Sequence, residues 1–273
     1  MTGQLPAAVV IFMLLSLPGL VVAARMLRRV REIGGRVPSG VLGMPDVFVG
    51  FFLCGFFALL VVGQTMLTDR AGAAPVMNVG QIWGNIAFFL VLVGLIIGFL
   101  LLRRISPVAL FGLRRWPLWR AALVGTLLVF AVFPLTLGLG VAMQLLLQQG
   151  AQEQDVVKLY REVAASGDRQ HIALLGFVAV VFQPIVEETI FRGYFYSLFK
   201  DWSGAVASAI FTATLFAAIH GNLTALPALF ALALALTLAY EWSGSLLVPI
   251  SMHMVFNGVQ LALVTWFQNS PPT

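Results

Sequence analysis

Charge is what this chain has least of. Only 10% of its 273 residues are charged, against about 25% in soluble domains, which excludes an ordinary solvated surface. The net charge is +5, but the basic residues cluster beside apolar runs, so nucleic-acid binding is not implied. The one cysteine, Cys54, lies inside an apolar run. That excludes an internal disulfide and any cysteine-based metal site. The three histidines form no His-Glu-x-x-His motif, in which i,i+4 ligands pre-form a zinc site. Met1 to Pro6 lacks a positive n-region, so the first apolar run reads as a retained helix rather than a cleaved signal. The tail Ser270-Pro271-Pro272-Thr273 carries no lipidation signal. No internal repeat and no low-complexity segment stands out.

What is abundant is apolar: 60% of residues are hydrophobic. Several runs reach 18 residues or more, the length that spans a bilayer as helix. The expectation is an all-α, polytopic integral membrane protein whose first partner is the lipid bilayer. About eight spans are predicted, at 6–24, 46–67, 80–102, 121–147, 172–199, 203–221, 224–240 and 246–267. The short link Gly221-Asn222-Leu223 makes spans six and seven a tight hairpin, or one of them partly re-entrant.

Loop charge orients the bundle. Arg25, Arg28, Arg29, Arg31, Arg36, Arg103, Arg104, Arg114, Arg115, Arg120 and Lys200 fall on one side, which is then cytoplasmic. Arg70, Lys158, Arg161 and Arg169 fall on the other. Both termini then face outward. Ile105 to Arg120 mixes Phe111, Leu113, Trp116 and Trp119 with arginines and reads as an interfacial anchor. The loop from Gln148 to His171 reads as a solvated outer loop with a helical turn around Val156 to Val163 and an exposed His171.

Span five breaks the apolar pattern. Pro184-Ile185-Val186-Glu187-Glu188-Thr189-Ile190-Phe191-Arg192 puts three ionisable groups where each costs at least about 2.5–3.5 kcal/mol to insert. Glu188 and Arg192 are four apart, share a helical face and can pair. Glu187 points about 100° away and is left as the free carboxylate, a candidate general base. Pro184 frees a backbone carbonyl and can kink the helix just before it. Prolines 134, 227 and 249 also fall inside spans.

Two further spans carry polar groups: His220 ends span six, and His253 and Asn257 share a face of span eight. Together with Glu187 they suit amide hydrolysis by water. A glutamate takes the proton, a neutral histidine helps hold the water, and histidine and asparagine donors hold the oxyanion. All of this needs an intramembrane polar cavity. Depth is the difficulty: at 1.5 Å per residue, Glu187 lies about 18 Å from the cytoplasmic end of span five and His253 about 10 Å into span eight. His220 falls near the outer end of span six, so tilt or re-entry must bring the groups to one level. Glu187, His220 and His253 also have the residue types of a zinc site. A non-catalytic scaffold that keeps the cluster as interhelical glue is a further reading. A proton-coupled transporter is disfavoured by the lack of an inverted repeat.

Glu187-Glu188-x-x-x-Arg192, Phe216-x-x-x-His220 and His253-x-x-x-Asn257, in that order on successive apolar helices, resemble the CAAX protease and bacteriocin-processing family, also called the Abi family. Its relatives include the type II CAAX prenyl endopeptidases. The resemblance covers roughly residues 121–267 and divides the chain into an N-terminal three-span region at 1–120, a protease core at 121–267 and a tail at 268–273. It implies a glutamate-dependent intramembrane endopeptidase in a prokaryotic inner membrane. Its substrate would be a membrane-embedded peptide or protein, and it would require no metal or other cofactor. By that likeness Glu187 and His220 activate water, His253 and Asn257 form the oxyanion hole, and Glu188 and Arg192 organise the site or meet the substrate. No further Phe-x-x-x-His element stands between His220 and His253. The chain therefore resembles a prokaryotic member more than the prenyl endopeptidases proper.

Overall fold

A computed structural model describes residues 7–71, 79–147, 163 and 168–269. Lys158, Arg161, residues 156–162 of the expected outer-loop turn and the tail from 270 lie outside them. Every element among the described residues is helical. The helices are α1 (Ala7–Ile33), α2 (Met44–Ala71), α3 (Val79–Leu102), the short α4 (Pro107–Leu110) and α5 (Leu118–Leu147). They are followed by α6 (Arg169–Phe177), α7 (Gln183–Glu188), α8 (Ser197–Ala218), α9 (Leu226–Ser243) and α10 (Leu247–Asn269). Two π-helical stretches, Val178–Phe182 and Thr189–Tyr196, join α6 to α7 and α7 to α8.

Five stretches are long and apolar enough to cross a membrane: Val9–Ile33, Val79–Leu102, Leu118–Leu147, Arg169–Ala218 and Leu226–Ser243. Met44–Leu60 and Leu247–Leu263 are shorter apolar helices. The chain is thus a multi-pass integral membrane protein. The 50-residue stretch from Arg169 is not one straight rod. Gly204 sits inside α8 at φ 78°, ψ 167°, a conformation open to glycine and forbidden in a helix. The break lies at the expected boundary between the stretches 172–199 and 203–221.

α5 is the hub of one side, packed against α1, α9 and α10, while α8 packs along α9. The main core lies between α2, α3, α8, α9 and the second π stretch, with Phe57, Phe191, Phe195, Tyr194 and Phe216 at its centre. Phe191 meets Phe216 edge-on at 5.3 Å between ring centroids and Phe57 at 5.7 Å. In lipid the apolar effect gives little drive between helices, so such packing and internal polar bonds hold the bundle.

Pro134 lies deep within α5, as Pro18 does within α1. Pro227 and Pro249 fall in the first turns of α9 and α10, where the missing N–H has no intrahelical partner to lose. His171, expected to be exposed, is half-buried in the first turn of α6. Its backbone N–H donates to the Asp168 cap at 3.1 Å.

Candidate active site

The site begins with a proline. In the π stretch Val178–Phe182 the bonds run from residue i to i−5; the Gln183 N–H donates to the Val178 carbonyl. The next donor in that pattern would be Pro184, which has no N–H, so the Ala179 carbonyl is left over. Asn257 supplies the missing donor from α10: its Nδ2 donates to Ala179 O at 2.9 Å. This bond stitches α10 to the turn that carries the glutamates. Single π turns of this kind are frequent at functional sites.

Glu188 is fully buried. Its Oε1 accepts from Arg192 Nη1 at 2.9 Å and from His253 Nδ1 at 2.9 Å. Arg192 Nη2 donates to the Ala233 carbonyl of α9 at 3.1 Å, and the guanidinium lies 4.6 Å above the Phe216 ring. The pairing expected from i,i+4 spacing is present. It extends into a chain of polar bonds that joins three helices. Among the described residues Glu188 Oε2 and Arg192 Nε have no hydrogen-bond partner.

Glu187, also buried, stands outside that pair. Its Oε1 accepts from Gln183 Nε2, one turn earlier, at 2.8 Å. Its Oε2 faces His253 Nε2 at 3.8 Å, beyond direct hydrogen-bond reach. The His253 tautomer follows from its other side. Glu188 is an acceptor already paired with arginine, so the hydrogen of that contact sits on Nδ1. In the neutral ring, Nε2 then carries a lone pair directed at Glu187 Oε2. Two acceptors facing each other mark a place for a donor, and water has two hydrogens to give.

His220 reaches this group through Phe216. The His220 ring packs on Phe216 at 4.9 Å between centroids, and Phe216 also meets the His253 ring at 5.9 Å. His220 Nδ1 bonds the Phe216 carbonyl at 2.7 Å, so Nδ1 is the donor and Nε2 is bare in the neutral ring. The phenylalanine of Phe216-x-x-x-His220 is therefore a spacer with Arg192 on one contact and two imidazoles on others.

The structure thus brings Glu187, Glu188, Arg192 and His253 into one cluster. Asn257 lies one turn from His253, and His220 is linked through an aromatic ring. Sequence reasoning passed over Gln183, although its i−4 spacing from Glu187 was legible. Among the described residues no group of three or more His, Cys, Asp or Glu side chains is arranged to hold a metal ion.

A third buried glutamate went unnoticed. Glu241, at the end of α9, accepts from Tyr196 Oη at 2.6 Å and pairs with Lys200 Nζ at 2.5 Å on Oε1. Its Oε2 accepts from the backbone N–H groups of Arg36 at 3.0 Å and Val37 at 3.4 Å. Lys200 also donates to the Val37 carbonyl at 2.9 Å. The loop after α1 is thereby tied to α8 and α9. A Cβ on Gly35 would lie 2.2 Å from Glu241 Oε2, and φ there is +80°, so both space and backbone demand glycine.

Comparison with known proteins points the same way. Residues 169–259 match the family described as type II CAAX prenyl endopeptidase Rce1-like, a stretch that holds all seven motif residues. The membrane-embedded CAAX protease MroQ of Staphylococcus aureus (strain USA300) is 32% identical over 93 residues. That match covers 32% of this chain and 38% of the relative, so the shared part is well under half of either protein. No solved structure is a significant match.

Proposed function

We propose, from the premise that residues 169–259 are of the CAAX protease family, that this chain is an intramembrane endopeptidase. It hydrolyses a peptide bond in a membrane-associated or hydrophobic peptide. One observation carries the reading: Glu187 is a buried carboxylate outside the Glu188–Arg192 pair, held by Gln183 on one oxygen and facing His253 Nε2 with the other.

In this reading Glu187 takes a proton from water as the water oxygen bonds to the scissile carbonyl carbon. The bare Nε2 of His220 helps orient that water. The oxyanion is held by His253 and by the second Nδ2 hydrogen of Asn257, the first being given to Ala179 O. His253 Nδ1–H stays with Glu188, so Nε2 donates once it has received a proton, and Glu187 Oε2 lies 3.8 Å away to deliver one. The C–N bond then breaks, and the proton ends on the leaving amine. One oxyanion donor is typically worth about 10²–10³ in rate. Glu188 and Arg192 hold His253 in register.

We count eight crossings for this fold, because Gly204 divides the long stretch and α2 and α10 are apolar. We place the catalytic core at 121–267, after a three-span region at 1–120, in a prokaryotic inner membrane with the basic loops in the cytoplasm. A scaffold role has one observation in its favour: the chain Ala233–Arg192–Glu188–His253 locks three helices without needing chemistry. It gives no role to Glu187.

The test compares membranes from cells expressing wild type and Glu187→Gln at matched folded levels. New peptide termini are mapped by mass spectrometry with and without a zinc chelator. Termini that vanish in the variant and survive the chelator are the expected result. Termini lost to the chelator as well would move the chemistry to zinc, and no difference between the proteins would favour the scaffold.

A further inference from the structure

The end of the bundle that carries the basic loops leaves part of its positive charge unanswered. The described carboxylates at that end are already engaged. Glu32 pairs with Arg28 and Arg29, Asp46 with Arg103 and Glu241 with Lys200, while Asp201 accepts from the Gly40 N–H. Among the described residues that leaves none for the exposed side chains of Arg104, Arg114, Arg115 and Arg120. These arginines all lie between the end of α3 and the first turn of α5.

The segment that carries them is held in place. Leu110 and Phe111 are buried. The Leu110 carbonyl accepts from Tyr240 Oη at 3.2 Å and the Phe111 carbonyl from the Leu246 N–H at 2.9 Å. Trp116 Nε1 donates to the Ser243 carbonyl at 3.2 Å. A site fixed in this way loses little freedom when it binds. The segment also carries an open hollow of about 390 Å³, lined by Ser106, Val108, Ala109 and Arg114, the size of a small-ligand site. The Ser106 oxygen accepts from the Ala109 N–H at 3.4 Å, and its own hydrogen remains to be given. A hydroxyl donor and a guanidinium together suit a phosphate.

We propose that this hollow seats the headgroup phosphate of an anionic phospholipid, with Arg114 as its cation and the other arginines of the segment adding attraction at longer range. A lipid fits better than a soluble anion because the segment joins the ends of two apolar helices. Leu102 at the end of α3, and Leu118 and Trp119 at the start of α5, are exposed. The Arg120 guanidinium lies 5.0 Å over the Trp119 ring, as in the belt of residues that sits at headgroup level. A soluble anion would leave that apolar surround bare, whereas a lipid brings acyl chains to cover it. The inference does not depend on the protease reading.

The test titrates the purified full-length chain, in a neutral detergent, with phosphatidylglycerol, with phosphatidylcholine and with glycerol 3-phosphate, and follows its unfolding temperature. A ligand of the folded state raises that temperature. The expected result is a saturable rise with phosphatidylglycerol that the other two do not match at equal concentration. Arg114→Gln should raise the half-saturating phosphatidylglycerol concentration by about tenfold or more, the effect of losing one charge-assisted contact. Ala109→Glu puts a like charge into the hollow and should abolish the saturable rise. Arg31→Gln, at an exposed arginine at the end of α1, should leave the titration unchanged.

Each rise is measured from that protein's own lipid-free unfolding temperature, so a change in stability alone does not count. An equal rise with phosphatidylcholine would overturn the anionic headgroup, and an equal rise with glycerol 3-phosphate would overturn the lipid. A wild-type titration in Arg114→Gln and Ala109→Glu would overturn the hollow as the seat. A loss in Arg31→Gln as large as that in Arg114→Gln would overturn the site in favour of general charge. Native mass spectrometry gives a second reading: phosphatidylglycerol should stay bound to wild type and Arg31→Gln and be lost from Arg114→Gln, and equal retention by all three would overturn the proposal.

Discussion

The chain buries glutamate at two places and treats the two differently. At Glu241 both carboxylate oxygens are saturated by a tyrosine, a lysine and two backbone N–H groups. At Glu187 one oxygen has a single amide donor and the other faces a histidine nitrogen too far away to bond. A saturated carboxylate is fixed and chemically quiet. An under-satisfied one in a low-dielectric interior retains its capacity to accept a proton. In the proposed reading the same residue type is a fastener at one place and a base at the other, and the partners of each carboxylate decide which.

The sharpest way to break the comparison is Glu241→Ala. It strands Lys200 and Tyr196 in a buried position, and removing one partner of a buried pair costs about 3–5 kcal/mol. The thermal midpoint in detergent should fall steeply, with cleavage lost in proportion to folded protein. Asn257→Ala comes next. It leaves the Ala179 carbonyl without a donor, a loss of about 1–3 kcal/mol. It should also lower kcat by more than the stability change explains, if Asn257 also serves the oxyanion. Gln183→Leu sharpens the other side: a hydrogen bond to a charged group contributes about 1.5–3 kcal/mol. The midpoint should fall accordingly, and cleavage per folded molecule should fall by roughly tenfold or more. Gly35→Ala costs about 1–2 kcal/mol from the left-handed backbone in addition to the contact its Cβ makes with Glu241 Oε2, read as a lower midpoint with normal activity per folded molecule.

Much of the candidate site could be read in advance because helical spacing is local. The i,i+4 relation gave the Glu188–Arg192 pair, the odd position of Glu187 and the common face of His253 and Asn257. It did not give the two π stretches, since i,i+5 bonding depends on how neighbouring helices satisfy the carbonyls, here Asn257 on Ala179. Nor did it give the contact between His253 and Glu188, 65 positions apart. That contact brings to one level groups that straight spans placed at different depths. Glu241 was invisible for the same reason. Its partners Arg36, Lys200 and Tyr196 are distant in sequence, and a single charge at a helix end resembles ordinary interfacial solvation. The fold class followed from composition. The break at Gly204 lies where the boundary between two apolar stretches was expected.

The most direct test sets the two glutamates side by side. Wild type, Glu187→Gln and Glu241→Gln are purified in one detergent, and each is measured for its unfolding temperature and for cleavage per folded molecule on a substrate identified from the mapped termini. The account predicts that Glu187→Gln unfolds at the wild-type temperature and cuts about 10²–10⁴-fold more slowly, while Glu241→Gln unfolds at a clearly lower temperature and cuts normally where folded. A Glu187→Gln protein that cuts like wild type, or one that unfolds as early as Glu241→Gln, would contradict it.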